Sequence, residues 1–304
     1  MDDLVTIALS TPFVDRLGDV VGALRTWQRD DAPVQLHPGD LGWVWRNGAE
    51  ATAATVRTWA DGDRPVAIGF LDGPDVFRMT VAPEVWRDDQ LARRVVQDLG
   101  EPDRGVLPAG RVSVEAPDGS RVQEVLDETG WVAAEAWTPL SRDLREPVEV
   151  VGLRVGVVDA GNLADFTAVH RSAWESTRFT DEVWRTMASG SAFEDARCLL
   201  GRDDDGIAVA GVTVWGAGPG RPGLLEPLGI HADHRGRGFG REMVLAAAAE
   251  LRSMGASSAM VCTESARTAA VATYRSAGFR QHPDRLDRTR RLVERPRRGA
   301  SDSS

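Results

Sequence analysis

HADHRGRGFGREM, residues 231–243, stands between the apolar run GLLEPLGI (223–230) and an Ala-rich segment that ends at Gly255. The first run has the length and composition of a strand, and the second repeats apolar residues at helical spacing. A loop at such a junction opens a helix whose first amides lack partners and whose dipole is positive at that end, so it favours an anion. Gly236, Gly238 and Gly240 allow the backbone to approach that anion, and Arg235, Arg237 and Arg241 bring charge to it. The spacing is R-x-x-G-x-G. A dinucleotide fingerprint needs G-x-G-x-x-G with an acid about 20 residues on, and the candidate acid here, Glu250, lies on the helix itself. A lysine-bearing P-loop is excluded, because all 36 basic residues of the chain are arginine. The loop reads as a phosphate site of another kind.

Composition narrows the setting. A net charge of −10 argues against a duplex nucleic-acid binder, which needs a basic face, and tolerates a cationic small molecule. Cys198 and Cys262 stand singly in apolar surroundings without metal-ligand spacing, which predicts reduced core residues, no metal and a cytoplasmic protein. The start, MDDLVTIALS, is acidic where a signal peptide is basic, and no apolar run approaches the length of a membrane span. Neither nucleic acid nor membrane is expected as a partner, and the chain is read as a monomer or homodimer.

With 304 residues, two domains of roughly 150 are expected. TPFVDRLGDVVGALRTW (11–27) predicts a helix capped by Thr11, with Phe13, Leu17, Val20, Leu24 and Trp27 on one stripe. LGWVWR (41–46), VRTW (56–59), RPVAIGFL (64–71) and DVFRMTVAP (75–83) predict strands, and residues 88–99 a helix. After the polar SRDLREP (141–147) come a strand at 151–159, helices at 162–173 (capped by Asn162) and 180–187, and a hairpin at 197–215. The halves then match in order. VAPEVWRDDQLARRVV (81–96) lies over IHADHRGRGFGREMVL (230–245), and VQEVLDETGW (122–131) over AVATYRSAGF (270–279). Val81 and Gly130 are 49 residues apart, Ile230 and Gly278 are 48 apart, and each half then runs to a closing strand. This repetition predicts a duplicated domain.

Three features of the second half resemble the GNAT superfamily of N-acetyltransferases. Arg235-Gly-Arg-Gly238-Phe-Gly240 resembles its acyl-CoA pyrophosphate loop, Ala270-x-x-x-Tyr274-x-x-x-Gly278-Phe279 its second signature, and GLLEPLGIHADHR its splayed fourth strand. The resemblance spans about residues 150–292 and implies an α/β fold of two tandem GNAT-like domains, each a twisted, mostly antiparallel sheet flanked by helices. The expected division is 1–148, a degenerate domain without a cofactor site, 149–294, a catalytic domain, and 295–304, a flexible tail. The length and tandem architecture are similar to those of two-domain actinobacterial members. The implied activity is transfer of an acetyl group from acetyl-CoA to a small-molecule or peptide amine. A non-catalytic acyl-CoA-binding module and a transferase of larger acyl groups stay open beside it.

The resemblance assigns roles residue by residue. Arg235, Gly236, Arg237, Gly238, Phe239, Gly240 and Arg241 would hold the pyrophosphate; Leu228, Gly229 and Ile230 would offer amides to the thioester. Ala270 opens the second signature, and Arg267 stands where many members have an asparagine near the CoA chain. Tyr274 is the only tyrosine in the chain. A phenol, with a pKa of about 10 against about 8.5 for a thiol, can donate to a departing thiolate at neutral pH. Glu226 is the expected base, with Glu175 and Glu264 as alternatives. The acceptor would enter at Trp174, Arg178 and Phe179, whereas Trp184 fits a buried stripe. In the first half Asp89 and Leu91 replace Gly238 and Gly240, Trp86 replaces Arg235 and Leu126 replaces Tyr274, which predicts the loss of that half's cofactor site.

Overall fold

The computed structural model describes residues 7–149 and 152–290. The first six residues, the junction at 150–151 and residues 291–304, which include the expected tail 295–304, lie outside the described residues. The first half runs β1 (Ile7–Ser10), α1 (Leu17–Trp27), α2 (Pro38–Val44), α3 (Ala49–Thr55), β2 (Val56–Asp61), β3 (Arg64–Leu71) and β4 (Val76–Val81). It continues with α4 (Asp89–Gly100), β5 (Ser113–Glu115), α5 (Arg121–Glu128) and β6 (Val132–Asp143). The second half runs β7 (Arg154–Val157), α6 (Leu163–Ala173), α7 (Asp181–Ala188), β8 (Ala196–Arg202), β9 (Ala208–Trp215) and β10 (Gly223–Ile230). It ends with α8 (Phe239–Ser253), β11 (Ser258–Glu264), α9 (Thr268–Ser276), β12 (Arg280–Gln281) and β13 (Arg285–Thr289).

The architecture is mixed α/β: a mostly antiparallel sheet flanked by helices. Among the described residues the strands form one sheet in the order β1-β2-β3-β4-β5-β13-β6-β11-β10-β9-β8-β7, with β12 on β6. Two pairs are parallel, β4 with β5 and β10 with β11, and each is joined by a crossover helix, α4 or α8. The duplication seen in the sequence thus recurs as a repeated β-α-β unit.

The closing strands are exchanged between the halves. β6, which follows α5, pairs over its second part with β11, from Ser258↔Asp143 to Glu264↔Trp137, and over its first part with β13. β13, which follows α9, returns to the first half and pairs with β5 at Arg288↔Val114 and Thr289↔Ser113. β10 meets β11 only at Gly223↔Ala259 and Leu224↔Met260, and then follows β9 instead. A wedge-shaped gap therefore opens between the carboxyl ends of β10 and β11.

Three local expectations need correction. LGWVWR does not form a strand: α2 and a following 3-10 turn cover it. The deciding residues are His37-Pro38-Gly39-Asp40. The Gly39 amide donates to His37 Nδ1 at 3.0 Å and the His37 amide donates to Asp40 Oδ2 at 2.6 Å, a capping box with Pro at the first helical position. Second, α1 begins at Leu17 rather than after Thr11, behind a 3-10 turn, which leaves Phe13 80% exposed instead of on the buried stripe. Third, Asn162 precedes α6 without capping it; its side chain turns back, accepting from the Asp159 amide and donating to the Val157 carbonyl.

One apolar core belongs to both halves. Leu17, Leu24, Leu41, Ile68 and Phe70 of the first pack in the same cluster as Phe166, Phe179, Met187 and Trp215 of the second. Each such side chain contributes roughly 1.5–3 kcal/mol on burial. Trp215 sits against α2 so closely that a Cβ on Gly39 or Gly42 would fall 2.4 or 2.3 Å from its side chain. His37 completes the seam, its Nε2–H donating to the Pro222 carbonyl at 3.2 Å just before β10. With Nδ1 accepting and Nε2 donating, the ring must be neutral, and burial lowers its pKa from 6.5 to about 3.

The sign of the consequence is fixed. Above pH 6.5 both folded and unfolded chains carry neutral His37; below it the unfolded chain takes up a proton that the folded chain refuses. Denaturant unfolding between pH 7 and pH 4 should show stability falling, with His37 contributing about 1.4 kcal/mol per pH unit. His37→Asn should flatten the profile by that share; an unchanged profile would remove His37 from the seam.

Candidate active site

The loop between β10 and α8 is shaped by two left-handed glycines, Gly236 (φ 76°) and Gly238 (φ 88°), the second being the N-cap of α8. A side chain would be strained at either position. The amides of Gly236, Arg237, Gly238, Phe239 and Gly240 donate to no backbone carbonyl among the described residues. They form a set of free donors at the start of a 15-residue helix. Gly240 serves a different end: a Cβ there would lie 3.3 Å from Thr273 on α9, so it sets the closeness of α8 and α9. Arg235 donates to the Ala173 carbonyl at 2.6 Å and Arg241 to the Ser276 carbonyl at 2.9 Å. These two arginines pin the ends of α6 and α9 beside the loop. Arg237 lies over the Phe239 ring, 5.2 Å from its centroid.

The gap between β10 and β11 leaves the facing edge of β10 without ladder partners beyond Leu224, so Leu228, Gly229 and Ile230 run along an open edge. The β10–β9 register shifts between Leu225 and Leu228, so simple alternation does not assign Glu226 a face. Tyr274 on α9 is 8% exposed and packs near Phe279. Burial, and then the charge of Glu226, push its hydroxyl above the usual phenol range, so it stays protonated. Glu226 itself is recessed, and burial pushes its carboxyl up to about 7 against the opposing pull of Arg78, with Asp40, Glu115 and Asp72 pushing the same way as burial. Glu226 is thus near enough to Tyr274 for its charge to act on the hydroxyl.

Those neighbours of Glu226 all come from the first half. Arg78 on β4 pairs with Asp40 on α2 at 2.8 Å and Glu115 on β5 at 3.0 Å, and Arg285 on β13 pairs with Glu115 at 2.7 Å. The sequence reading missed this cluster. Its signal was there: Arg78 interrupts the apolar strand DVFRMTVAP, and a charge inside a strand asks for a partner.

The remaining expected residues divide. Ala270 packs against the second half's own core, and Arg267 is tied to Glu264 at 3.1 Å, which also occupies that alternative base. Glu175 is exposed at a left-handed turn after α6. Trp174 is 41% exposed and lies so close to Gly229 that a Cβ there would be 2.4 Å from its ring. Phe179 is 4% exposed, a core ring against His170 rather than an open wall, and Arg178 is exposed. Trp184 is partly buried and donates to Cys198 Sγ at 3.3 Å, as its stripe implied.

The corresponding end of α4 in the first half is closed. Its N-cap is Asp88, one position before the residue that the sequence register places opposite Gly238, and its carboxylate accepts from the Leu91 amide at 2.7 Å. Asp89 is held by Arg93 at 2.7 Å and Arg121 at 2.6 Å. The donors that α8 leaves free are answered here from within the chain.

Residues 163–279 match the family model described as the acetyltransferase (GNAT) family. Over that segment of its second half the chain is similar to GNAT acetyltransferases. It is an acyltransferase. A mycothiol acetyltransferase from Thermobispora bispora is 29% identical over 279 residues, which cover 86% of this chain and 77% of that one. Among solved structures, a tandem GNAT protein from the clavulanic acid biosynthesis pathway superposes with a TM-score of 0.60 at 16% identity, covering 94% of this chain and 98% of that one. A GCN5-related N-acetyltransferase from Sphaerobacter thermophilus gives 0.57 at 18% identity, covering 93% and 95%. These likenesses extend over both halves, so the tandem arrangement is a shared fold. Among the described residues no helix is long and apolar enough to cross a membrane.

The contact between Gly229 and Trp174 can be tested directly. Gly229→Ala forces the Trp174 ring off β10 and should lower stability by about 1–3 kcal/mol in denaturant unfolding. The double variant Gly229→Ala/Trp174→Ala should recover most of that loss; no recovery would mean that the strain lies elsewhere.

Proposed function

We propose that the protein transfers an acetyl group from acetyl-CoA to a primary amine of a small molecule or peptide, by direct attack within a ternary complex. What supports this reading is a helix start with five free amides at the end of the open strand β10, which carries Glu226, with Tyr274 near enough to feel the Glu226 charge. The residues present fit acetyl-CoA. Free donors and left-handed glycines at 236–240 suit a pyrophosphate, and the gap between β10 and β11 suits an extended arm that borrows the open edge of β10. Ile230, with Leu228 and Gly229, would hold the thioester carbonyl by backbone amides as negative charge gathers on its oxygen.

Each proton then has a place. Glu226, ionised, accepts a proton from the acceptor ammonium, directly or through a water. The amine nitrogen attacks the acetyl carbon, the carbon–sulfur bond breaks, and the thiolate takes a proton or a hydrogen bond from the Tyr274 hydroxyl. The first half, whose α4 start is closed by Asp88 and by Arg121 on Asp89, contributes the far wall of the acceptor cleft and holds no cosubstrate. Similarity to a mycothiol acetyltransferase supports a small-molecule amine as acceptor.

Calorimetric titration of acetyl-CoA should give one site per chain. Tyr274→Phe should keep the acetyl-CoA affinity while lowering kcat by about 10²-fold or more. Unchanged turnover would remove Tyr274 from the chemistry, and no binding would sink the reading. The pH profile follows from Glu226. Its carboxyl must be ionised to accept a proton, so kcat/KM should rise with pH through about 7 and then level off. The charged groups near it, Arg78, Asp40, Glu115, Asp72 and Arg46, lie in the first half, while Tyr274 and Cys262 of the second half are neutral neighbours whose protons burial holds. Glu226→Gln should abolish that limb along with most of the activity, whereas a limb that survives in the variant would assign it to another group.

A further inference from the structure

Arg46, in the 3-10 turn after α2, is a half-buried cation without an ion pair. No carboxylate among the described residues lies within 4.0 Å of it, in a chain where most buried arginines are paired. It donates to the Trp43 carbonyl at 2.7 Å and lies over the Trp43 ring, 4.2 Å from the centroid. That leaves most of its five N–H donors unspent. Its position is set by a continuous aromatic wall. Trp174 touches Gly229 on the open strand; His170 stacks on Trp174 at 4.2 Å; Trp43 lies 5.6 Å from His170. The wall thus runs from the strand proposed to hold the thioester, across the boundary between the halves, to the Arg46 guanidinium.

Two further observations mark this wall as a binding surface. Both ring nitrogens of His170 are buried without a hydrogen-bond partner among the described residues, which a native structure seldom leaves so. Glu226 and Asp72 are near enough for their fields to act on Arg46, yet neither pairs with it. A free cation thus stands at one end of an aromatic wall, with carboxylates near it.

We propose that the acceptor is a zwitterion, an amino acid or a compound with the same pair of groups, whose carboxylate is held by Arg46 while its amine faces Glu226. This rests on the transferase reading above and adds the substrate class to it. A planar guanidinium suits a carboxylate because it can present two parallel donors. The wall of Trp43, His170 and Trp174 takes the apolar part of the acceptor between the two ends. Arg46 is in this sense a specificity residue supplied by the half that lacks a cosubstrate site.

The test measures CoA release from acetyl-CoA with a panel of free L-amino acids and with the same amino acids as C-terminal carboxamides. The carboxylates should be preferred in kcat/KM by about 10- to 100-fold, the range of a charge-assisted hydrogen bond. Arg46→Gln should collapse that preference, chiefly through KM for the carboxylates, with acetyl-CoA affinity unmoved. Arg46→Lys, which keeps the charge, should restore part of it, and covers the case in which the glutamine variant fails to fold. Equal use of carboxylates and carboxamides, or a preference that survives Arg46→Gln, overturns the proposal and leaves the transferase reading standing. If neither set is acetylated the proposal also falls; if a broad panel of other amines then fails as well, the transferase reading falls with it.

Discussion

Seven residue pairs between β6 and β11 tie the closing strand of the first half into the sheet of the second. The gap between β10 and β11 depends on this ladder. A strand that diverges from its neighbour would leave a whole edge unpaired, and buried unpaired peptide groups are costly. β11 can leave β10 after two residues because β6 satisfies its other edge, and β10 can leave β11 because β9 satisfies its own. The gap is held open by hydrogen bonds made elsewhere. The first half is thus part of the second half's backbone, not an appendage resting on it.

The same exchange explains the electrostatics. β13 carries Arg285 to Glu115, and β4 carries Arg78 to the same carboxylate, so two guanidinium groups outweigh burial and hold Glu115 below its ordinary range. Arg78 is shared among Asp40, Glu115 and Asp72, and it has little left for Glu226. Burial and three nearby carboxylates then keep the Glu226 proton near neutrality. Buried ion pairs of this kind are weak evidence of stability, since desolvation offsets much of their attraction. Their clearer effect here is to set the field in which one unpaired carboxylate sits.

Much of this was legible in the residues. The glycine loop, the spacing of Ala270, Tyr274, Gly278 and Phe279, and the apolar runs on either side are local patterns, and local patterns survive folding. The duplication was legible too, because it rests on order and spacing. What escaped is what spacing cannot carry. LGWVWR reads as a strand by composition, and only the upstream His37 and Asp40 turn it into a helix. The first helix start was misplaced because Phe13 looks like a core residue yet faces solvent. The partner of a closing strand is a matter of topology, and nothing within β6 names β11. The charges around Glu226 follow from that topology. Phe179, placed in the acceptor pocket by its neighbours in sequence, lies behind His170 because the turn after α6 folds it inward.

The exchange also sets a schedule for synthesis. Glu115 waits for Arg285, 170 residues downstream, and β5 waits for the strand that carries it. As the chain leaves the ribosome, the first half emerges with β5 paired to β4 on one edge only and with β6 still without its strand partners. The first half has an apolar core of its own to fold around, but its sheet cannot be completed before the second half is made. Until then an unpaired strand edge stands exposed, the kind of edge on which other chains pair.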